Sequence, residues 1–290
     1  MESLSQLSEL FPHKPQRVSG KNMPILAWAA SVIFASLISL GLWLNADVFF
    51  GQGAVQIVQF NSEYETKIGE QSTFFLQDKT QIRLNTNSLV KVTYTDKQRV
   101  FELLRGEMHV VVAHNKQKPL TVYAGSSIIQ AVGTAFNVEL SNDEVELIVT
   151  DGKVLISNFN SQTVAPLKLK NVYLPAKSFA VSKGQKAQLR ANKASIIGND
   201  KGQLAADLAW QQGNLIFRGE SLFDAMQEVS RYTNYQFYFD DEEIKGLQIA
   251  GLFKTSDISG LLSALESNFD VIFKKISSNK IGLSKKPPTD

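Results

Sequence analysis

Residues 215–239, LIFRGESLFDAMQEVSRYTNYQFYF, align without gaps to residues 251–275, GLFKTSDISGLLSALESNFDVIFKK, at an offset of 36 positions. Phe217 matches Phe253, Leu222 matches Ile258, Ala225 and Met226 match Leu261 and Leu262, Val229 matches Leu265, and Phe237 matches Phe273. Within each copy the apolar residues recur at i, i+3, i+4 and i+7, one face of a helix, and a strand-like run flanks that helix on either side. Each copy is therefore expected to be a βαβ unit, the two joined near Asp240, Asp241 and Gly246, with both helices covering one face of a sheet. Ser256 is the expected N-cap of the second helix.

Outward from the module that carries this repeat, residues 213–285, the chain ends in a short tail at 286–290, and residues 191–212 read as a linker. Before the linker, residues 63–190 alternate with period two: Val90, Val92 and Tyr94 against Lys91 and Thr93, and Val145 and Leu147 against Glu144 and Glu146. That is the signature of strands with one buried face. Turn signals such as Asp96-Lys97, Arg105-Gly106, Gly125-Ser126 and Asp151-Gly152 punctuate these runs. Strands this short stack as a solenoid or a sandwich, and the pattern fits either. The expected class is mainly β plus α/β.

Further upstream, residues 23–44, MPILAWAASVIFASLISLGLWL, contain no charged residue and no histidine. At 1.5 Å per residue they form about 33 Å of helix, enough to cross a bilayer core. Lys14, Arg17 and Lys21 precede the stretch and no Lys or Arg follows until Lys67. Positive charge stays inside, so residues 1–22 are expected in the cytoplasm and everything after the span in the periplasm, a bacterial inner-membrane placement with residues 45–62 as tether. Within the cytoplasmic segment, Leu4, Leu7, Leu10 and Phe11 fall on one helical stripe. A helix so short gains stability only by folding against a partner.

Composition narrows the function. Net charge is +2, and Lys and Arg are scattered, so the basic footprint of a nucleic-acid binder is missing. There is no cysteine, hence no disulfide, thiolate zinc site or thiol nucleophile. His109 and His114 sit five apart and face opposite sides of a regular strand, and the DDEE run at 240–243 lacks the alternating spacing of a calcium loop. No serine elbow, phosphate loop or zinc helix occurs. No enzyme, cofactor, metal or small-molecule substrate is expected.

Several pieces carry a resemblance: Ile68-Gly69-Glu70, Leu84-Asn85 with Ser88, the LRGE of 104–107, Lys118-Pro119-Leu120, the AVGTAFNV of 131–138, and Asp151-Gly152-Lys153-Val154. Downstream come Trp210, the GNLIF of 213–217 and Arg231-Tyr232. In this order they resemble the FecR family of transmembrane ferric-siderophore sensors and anti-sigma regulators, and the repeated module resembles the short signalling domain of secretins and TonB-dependent transducers. The resemblance implies a cytoplasmic sigma-factor partner, which Leu4, Leu7, Leu10 and Phe11 would contact, and an outer-membrane TonB-dependent transducer as periplasmic partner. It also implies self-cleavage between Gly133 and Thr134 in some members. Gly133 offers an unhindered carbonyl and Thr134 a hydroxyl nucleophile. The sequence departs from the family in having 22 residues before the span where a helical domain is usual, and Lys79 where Gly usually follows Asp78. A second functional class stays open, an anchored periplasmic scaffold with no sigma-factor role.

Overall fold

The computed structural model describes residues 60–142, 144–158, 178–190, 193–198 and 200–287. Residues 23–44 and the stripe Leu4, Leu7, Leu10 and Phe11 lie outside them. Among the described residues no helix is long and apolar enough to cross a membrane.

Thirteen strands build the first part: β1 (Phe60–Glu65), β2 (Ser72–Phe75), β3 (Gln81–Leu84), β4 (Leu89–Tyr94), β5 (Arg99–Val111), β6 (Leu120–Ala124), β7 (Ser127–Ala131), β8 (Ala135–Ser141), β9 (Glu144–Asp151), β10 (Lys153–Asn158), β11 (Phe179–Ser182), β12 (Lys186–Arg190) and β13 (Lys193–Gly198). One sheet runs β1-β4-β5-β6-β7-β10-β11 and the other β2-β3-β5-β8-β9-β12-β13, so the long β5 belongs to both. Its first half, Arg99 to Leu103, pairs with β4 and β6; its second half, Gly106 to Val111, pairs with β3 and β8. Side chains from both sheets, among them Leu84, Val92, Phe101, Val122, Phe136, Leu147 and Ile156, share one core. Of the two expected arrangements, this is the sandwich.

β5 stays apolar-inward across both sheets by changing parity. Phe101 and Leu103 face the core before the break, and Met108 and Val110 after it. Gly106 absorbs the change with φ +81°, and a Cβ there would lie 2.7 Å from the Ser88 Cα, so only glycine fits. The shift leaves Glu107 and His109 pointing out of the sandwich.

The second part does not begin after a linker. Residues 191–212 carry β13, the helix α1 (Lys201–Asp207) and a 3-10 turn at Ala209–Gln212. The Asp200 side chain caps α1 by accepting from the Gly202 and Gln203 amides. Trp210 in the turn is 3% exposed. The module then runs β14 (Asn214–Ser221), α2 (Leu222–Ser230), β15 (Gln236–Phe239), β16 (Gln248–Lys254), α3 (Ile258–Asn268), β17 (Val271–Lys275) and β18 (Lys280–Lys285).

Both βαβ copies form where the repeat places them, but they do not share one sheet. β14 pairs antiparallel with β16 about the Ile216–Leu252 pair, which are equivalent residues of the two copies. The copies are thus related by a local two-fold. β15 and β17 do not meet; each pairs with β18, a strand outside the repeat, in a separate three-stranded sheet. Leu222, Ala225, Met226 and Val229 of α2 and Leu261 and Leu265 of α3 join both sheets in one core. The second helix is capped by Asp257, whose carboxylate accepts from the Gly260 amide at 2.8 Å, and not by Ser256. Asp257 is the repeat partner of Ser221, which caps α2.

Candidate functional site

Residues from several of the family-like pieces, Asn85, Ser88, Glu107, Asn137 and Arg231-Tyr232, converge where the module meets the sandwich. Glu107, 2% exposed, is their centre. Its Oε2 accepts from Asn85 Nδ2 at 2.8 Å and from Arg231 Nη2 at 2.7 Å, and its Oε1 accepts from Asn137 Nδ2 at 2.8 Å. Its backbone is clamped as well: the Glu107 amide donates to Ser88 Oγ and the Ser88 hydroxyl returns a bond to the Glu107 carbonyl. Asn85 Nδ2 also donates to the Tyr232 hydroxyl at 2.8 Å, and Thr86 Oγ1 donates to the Arg231 carbonyl at 2.8 Å. Each of these bonds to Arg231 or Tyr232 crosses from sandwich to module.

The sandwich presents an unusual outer face here. Register places Glu107 opposite Glu139 and Glu139 opposite Glu146, a row of three glutamates across β5, β8 and β9. Like charges directly opposite repel. Arg231 answers two of them, Glu107 at 2.7 Å and Glu139 at 3.1 Å, while also holding Glu228 of α2, the helix it follows, at 2.9 Å. Lys186 answers the third, bridging Glu146 at 2.6 Å to Asp207 of α1 at 2.8 Å. Burial, and next the charge of Glu107, push the Glu139 carboxyl up to about 8 although Arg231 pulls the other way. Burial likewise raises Glu146 against the pull of Lys186. Burial opposes the Arg231 charge, but Glu228, Glu107 and Glu139 outweigh it and hold the guanidinium well above its ordinary value. The alternation of Val145 and Leu147 with Glu146 reads as a solvated polar face; the structure covers that face with the module.

Gly133 and Thr134 lie away from this seam, at the entry to β8. Gly133 has φ +71°, and a Cβ on it would lie 2.4 Å from His114 Nδ1. The exposed His114 ring therefore stands directly over the glycine. Thr134 is 6% exposed, and its hydroxyl has no hydrogen-bond partner among the described residues. Phe136 and Val138, which share its parity, are in the core. His109, by contrast, faces Thr150 Oγ1 at 3.1 Å, and burial and then Arg83 lower its pKa to about 4. Neither histidine belongs to a metal cluster among the described residues.

Known families fit both parts of this arrangement. The FecR protein model matches residues 62–155, and the FecR C-terminal model matches residues 214–283. The chain belongs to the FecR family. This is a family of regulatory proteins and not of enzymes. Two crystal structures of a candidate anti-sigma factor from Parabacteroides distasonis ATCC 8503, at 1.65 and 2.50 Å resolution, share the fold. They are 20% and 19% identical to this FecR chain, each with a TM-score of 0.60 over 78% of it and 99% and 100% of their own length. No curated protein sequence matches it. The family pattern also explains Lys79, which takes φ +70° where a glycine would sit without strain.

Proposed function

We propose that this FecR-family chain is a single-span inner-membrane regulator. Its periplasmic domains sense an outer-membrane TonB-dependent transducer, and occupancy passes through residues 23–44 to an extracytoplasmic-function sigma factor in iron-siderophore type signalling. The observation that carries the reading is the seam. A module fastened by ion pairs and hydrogen bonds, with strand edges open on β15 and β17, is positioned to take a partner by strand addition and to alter its hold on the sandwich. The charge asymmetry around residues 23–44 supports the topology. Pull-down of the full chain from solubilised membranes tests it: a sigma factor should co-purify, and Leu7→Asp should release it while Leu7→Ala does less. Absence of any sigma factor, with unchanged reporter output in both variants, would favour the anchored scaffold.

A second reading concerns Gly133-Thr134. A buried hydroxyl without a partner among the described residues, beside a glycine held at positive φ, suits an N-to-O acyl shift. In that step Thr134 Oγ1 attacks the Gly133 carbonyl carbon, the peptide C–N bond breaks, the hydroxyl proton passes to the new amine, and water then hydrolyses the ester. Immunoblots with tags at both termini should show two fragments in wild type, one band in Thr134→Ala and retained cutting in Thr134→Ser. One full-length band in wild type makes the pair purely structural.

A further inference from the structure

The connection from β5 to β6 passes beside the Gly133-Thr134 bond and is built to stay there. The Val112 amide donates to the Thr134 carbonyl at 2.8 Å, which sets the start of this loop against the entry to β8. Arg99, 2% exposed, holds the loop near both ends: its Nη1 donates to the Ala113 carbonyl at 2.9 Å, and its Nε donates to the Lys118 carbonyl at 2.7 Å. The same guanidinium is anchored by Asp78 at 2.9 Å. Between the two clamped carbonyls, the Asn115 side chain closes a turn by accepting from the Gln117 and Lys118 amides, each at 3.0 Å. His114 stands on this braced loop.

The point where a Cβ of Gly133 would sit lies 2.9 Å from both Cβ and Cγ of His114, and nearer still to its Nδ1. Two C–C bonds of about 1.5 Å separate that point from the Gly133 carbonyl carbon, so Nδ1 is within about 6 Å of this carbon, a span that one water bridges. A second glycine fixes the threonine. Gly152 has φ +78°, and a Cβ on it would lie 2.8 Å from Thr134 Cγ2, so the threonine methyl occupies the space that this glycine leaves. The Thr134 hydroxyl is enclosed and has no hydrogen-bond partner among the described residues, whereas the His114 ring is exposed. An enclosed polar atom left open in this way calls for an explanation, and a reacting group is one.

We propose that His114 is the general base for the second half of self-cleavage, the hydrolysis of the ester left by the acyl shift. The inference rests on the Gly133-Thr134 reading and adds the base which that reading does not name. The shift itself is internal: Thr134 Oγ1 attacks the carbonyl next to it, and an enclosed hydroxyl suffices. Hydrolysis needs water, which arrives from the solvent side, where the His114 ring stands. His114 Nδ1 takes a proton from that water while the water oxygen bonds to the Gly133 carbonyl carbon. The bond from this carbon to Thr134 Oγ1 breaks, and the imidazolium returns the proton to the leaving oxygen. The products are one chain ending in the Gly133 carboxyl group and one beginning with the free amine of Thr134, its hydroxyl restored. His109 does not compete for this role, since it faces Thr150 Oγ1 at 3.1 Å.

Pulse-chase of the full chain, tagged at both termini, tests this in wild type, His114→Ala, His114→Gln and Thr134→Ala. Both His114 variants should form fragments at least about a hundredfold more slowly than wild type. His114→Gln keeps a polar side chain over Gly133 but carries no base, so it separates chemistry from packing. The uncut variants, purified in detergent, are then treated with hydroxylamine at neutral pH, which attacks esters. His114→Ala should split between residues 133 and 134, with Gly133 recovered as its hydroxamate by mass spectrometry, and Thr134→Ala should stay whole. Added imidazole should likewise restore cutting to His114→Ala and not to Thr134→Ala. Wild-type rates in His114→Ala or in His114→Gln overturn the assignment, and so does an uncut His114→Ala that resists both hydroxylamine and imidazole. Each of those results leaves cleavage itself standing, whereas a wild-type chain that remains one band overturns the cleavage reading and this inference with it.

Discussion

The interior of the sandwich and the seam beneath the module are both buried, yet they are held by opposite means. Inside the sandwich, fully buried Phe101, Leu120, Phe136 and Ile156 interlock with no charge among them. At the seam, Glu107, Arg231, Asn85, Asn137 and Tyr232 are joined by directional polar bonds. The apolar core is non-directional and roughly proportional to area, so it is lost only by unfolding. The seam depends on the charge state and geometry of a few groups. It is therefore the part of this fold that a binding event can adjust.

The largest effect should come from leaving a buried charge alone. Arg231→Met strips Glu107 of its cation and should cost about 3–5 kcal/mol at the seam. Phe136→Ala should cost about as much through its cavity, about 3–5 kcal/mol. The two differ in kind. By differential scanning calorimetry, Arg231→Met should split off a separate, low-temperature transition for the module, whereas Phe136→Ala should lower the transition of the sandwich. A single shared transition in Arg231→Met would remove the distinction between the regions.

A smaller effect separates them by pH. With its carboxyl pushed up to about 8, Glu139 holds a proton in the folded protein that the unfolded chain releases near its ordinary value. Between those values the folded state binds more protons, so this group makes stability rise as pH falls from about 8 toward 5. The melting temperature of the seam should follow that slope, and Glu139→Gln should flatten it. A seam transition with the same pH slope in wild type and Glu139→Gln would exclude this group as its source.

The smallest effect lies in the sandwich and is purely local. Lys79 adopts φ +70° between Asp78 and Thr80, so Lys79→Gly relieves left-handed strain at some cost in unfolded-state entropy. A net gain of about 0.5 kcal/mol is expected, with no change at the seam, as judged by chemical denaturation. A loss of stability would mean that Lys79 makes a compensating contact.

These contrasts also mark what the sequence could reveal. Apolar alternation and the repeat of 36 positions are local patterns, and they announced the strands, both helices and the shared identity of the two copies. Pairing is not local. β18 carries no counterpart in the repeat, so its place between β15 and β17 was invisible, and so was the division into two small sheets. Residues 191–212 looked like a linker because α1 is only two turns long, although Asp200 is a sound cap and Trp210 an obvious candidate for burial. The cap of α3 was legible in principle, since the offset carries Ser221 onto Asp257. At the site, Asn85, Glu107, Asn137 and Arg231-Tyr232 were each visible as family-like pieces. Nothing in their spacing said that one carboxylate gathers all of them. The Glu107–Glu139–Glu146 row was masked because outward-facing glutamates on alternating strands read as solvent-facing.

The central claim is that the module is fastened to the sandwich through the Glu107–Arg231 pair. A double-mutant cycle with Glu107→Gln, Arg231→Met and the double variant, read from the unfolding free energy of the module transition, measures that coupling directly. Contacting residues in one network couple by about 0.5–3 kcal/mol, and a buried pair sharing Asn85 and Asn137 should fall at the upper end, near 2–3 kcal/mol. The double variant should then be little worse than either single one. Additive losses, agreeing within about 0.5 kcal/mol, would show that the two residues act independently and that the module is held by something else.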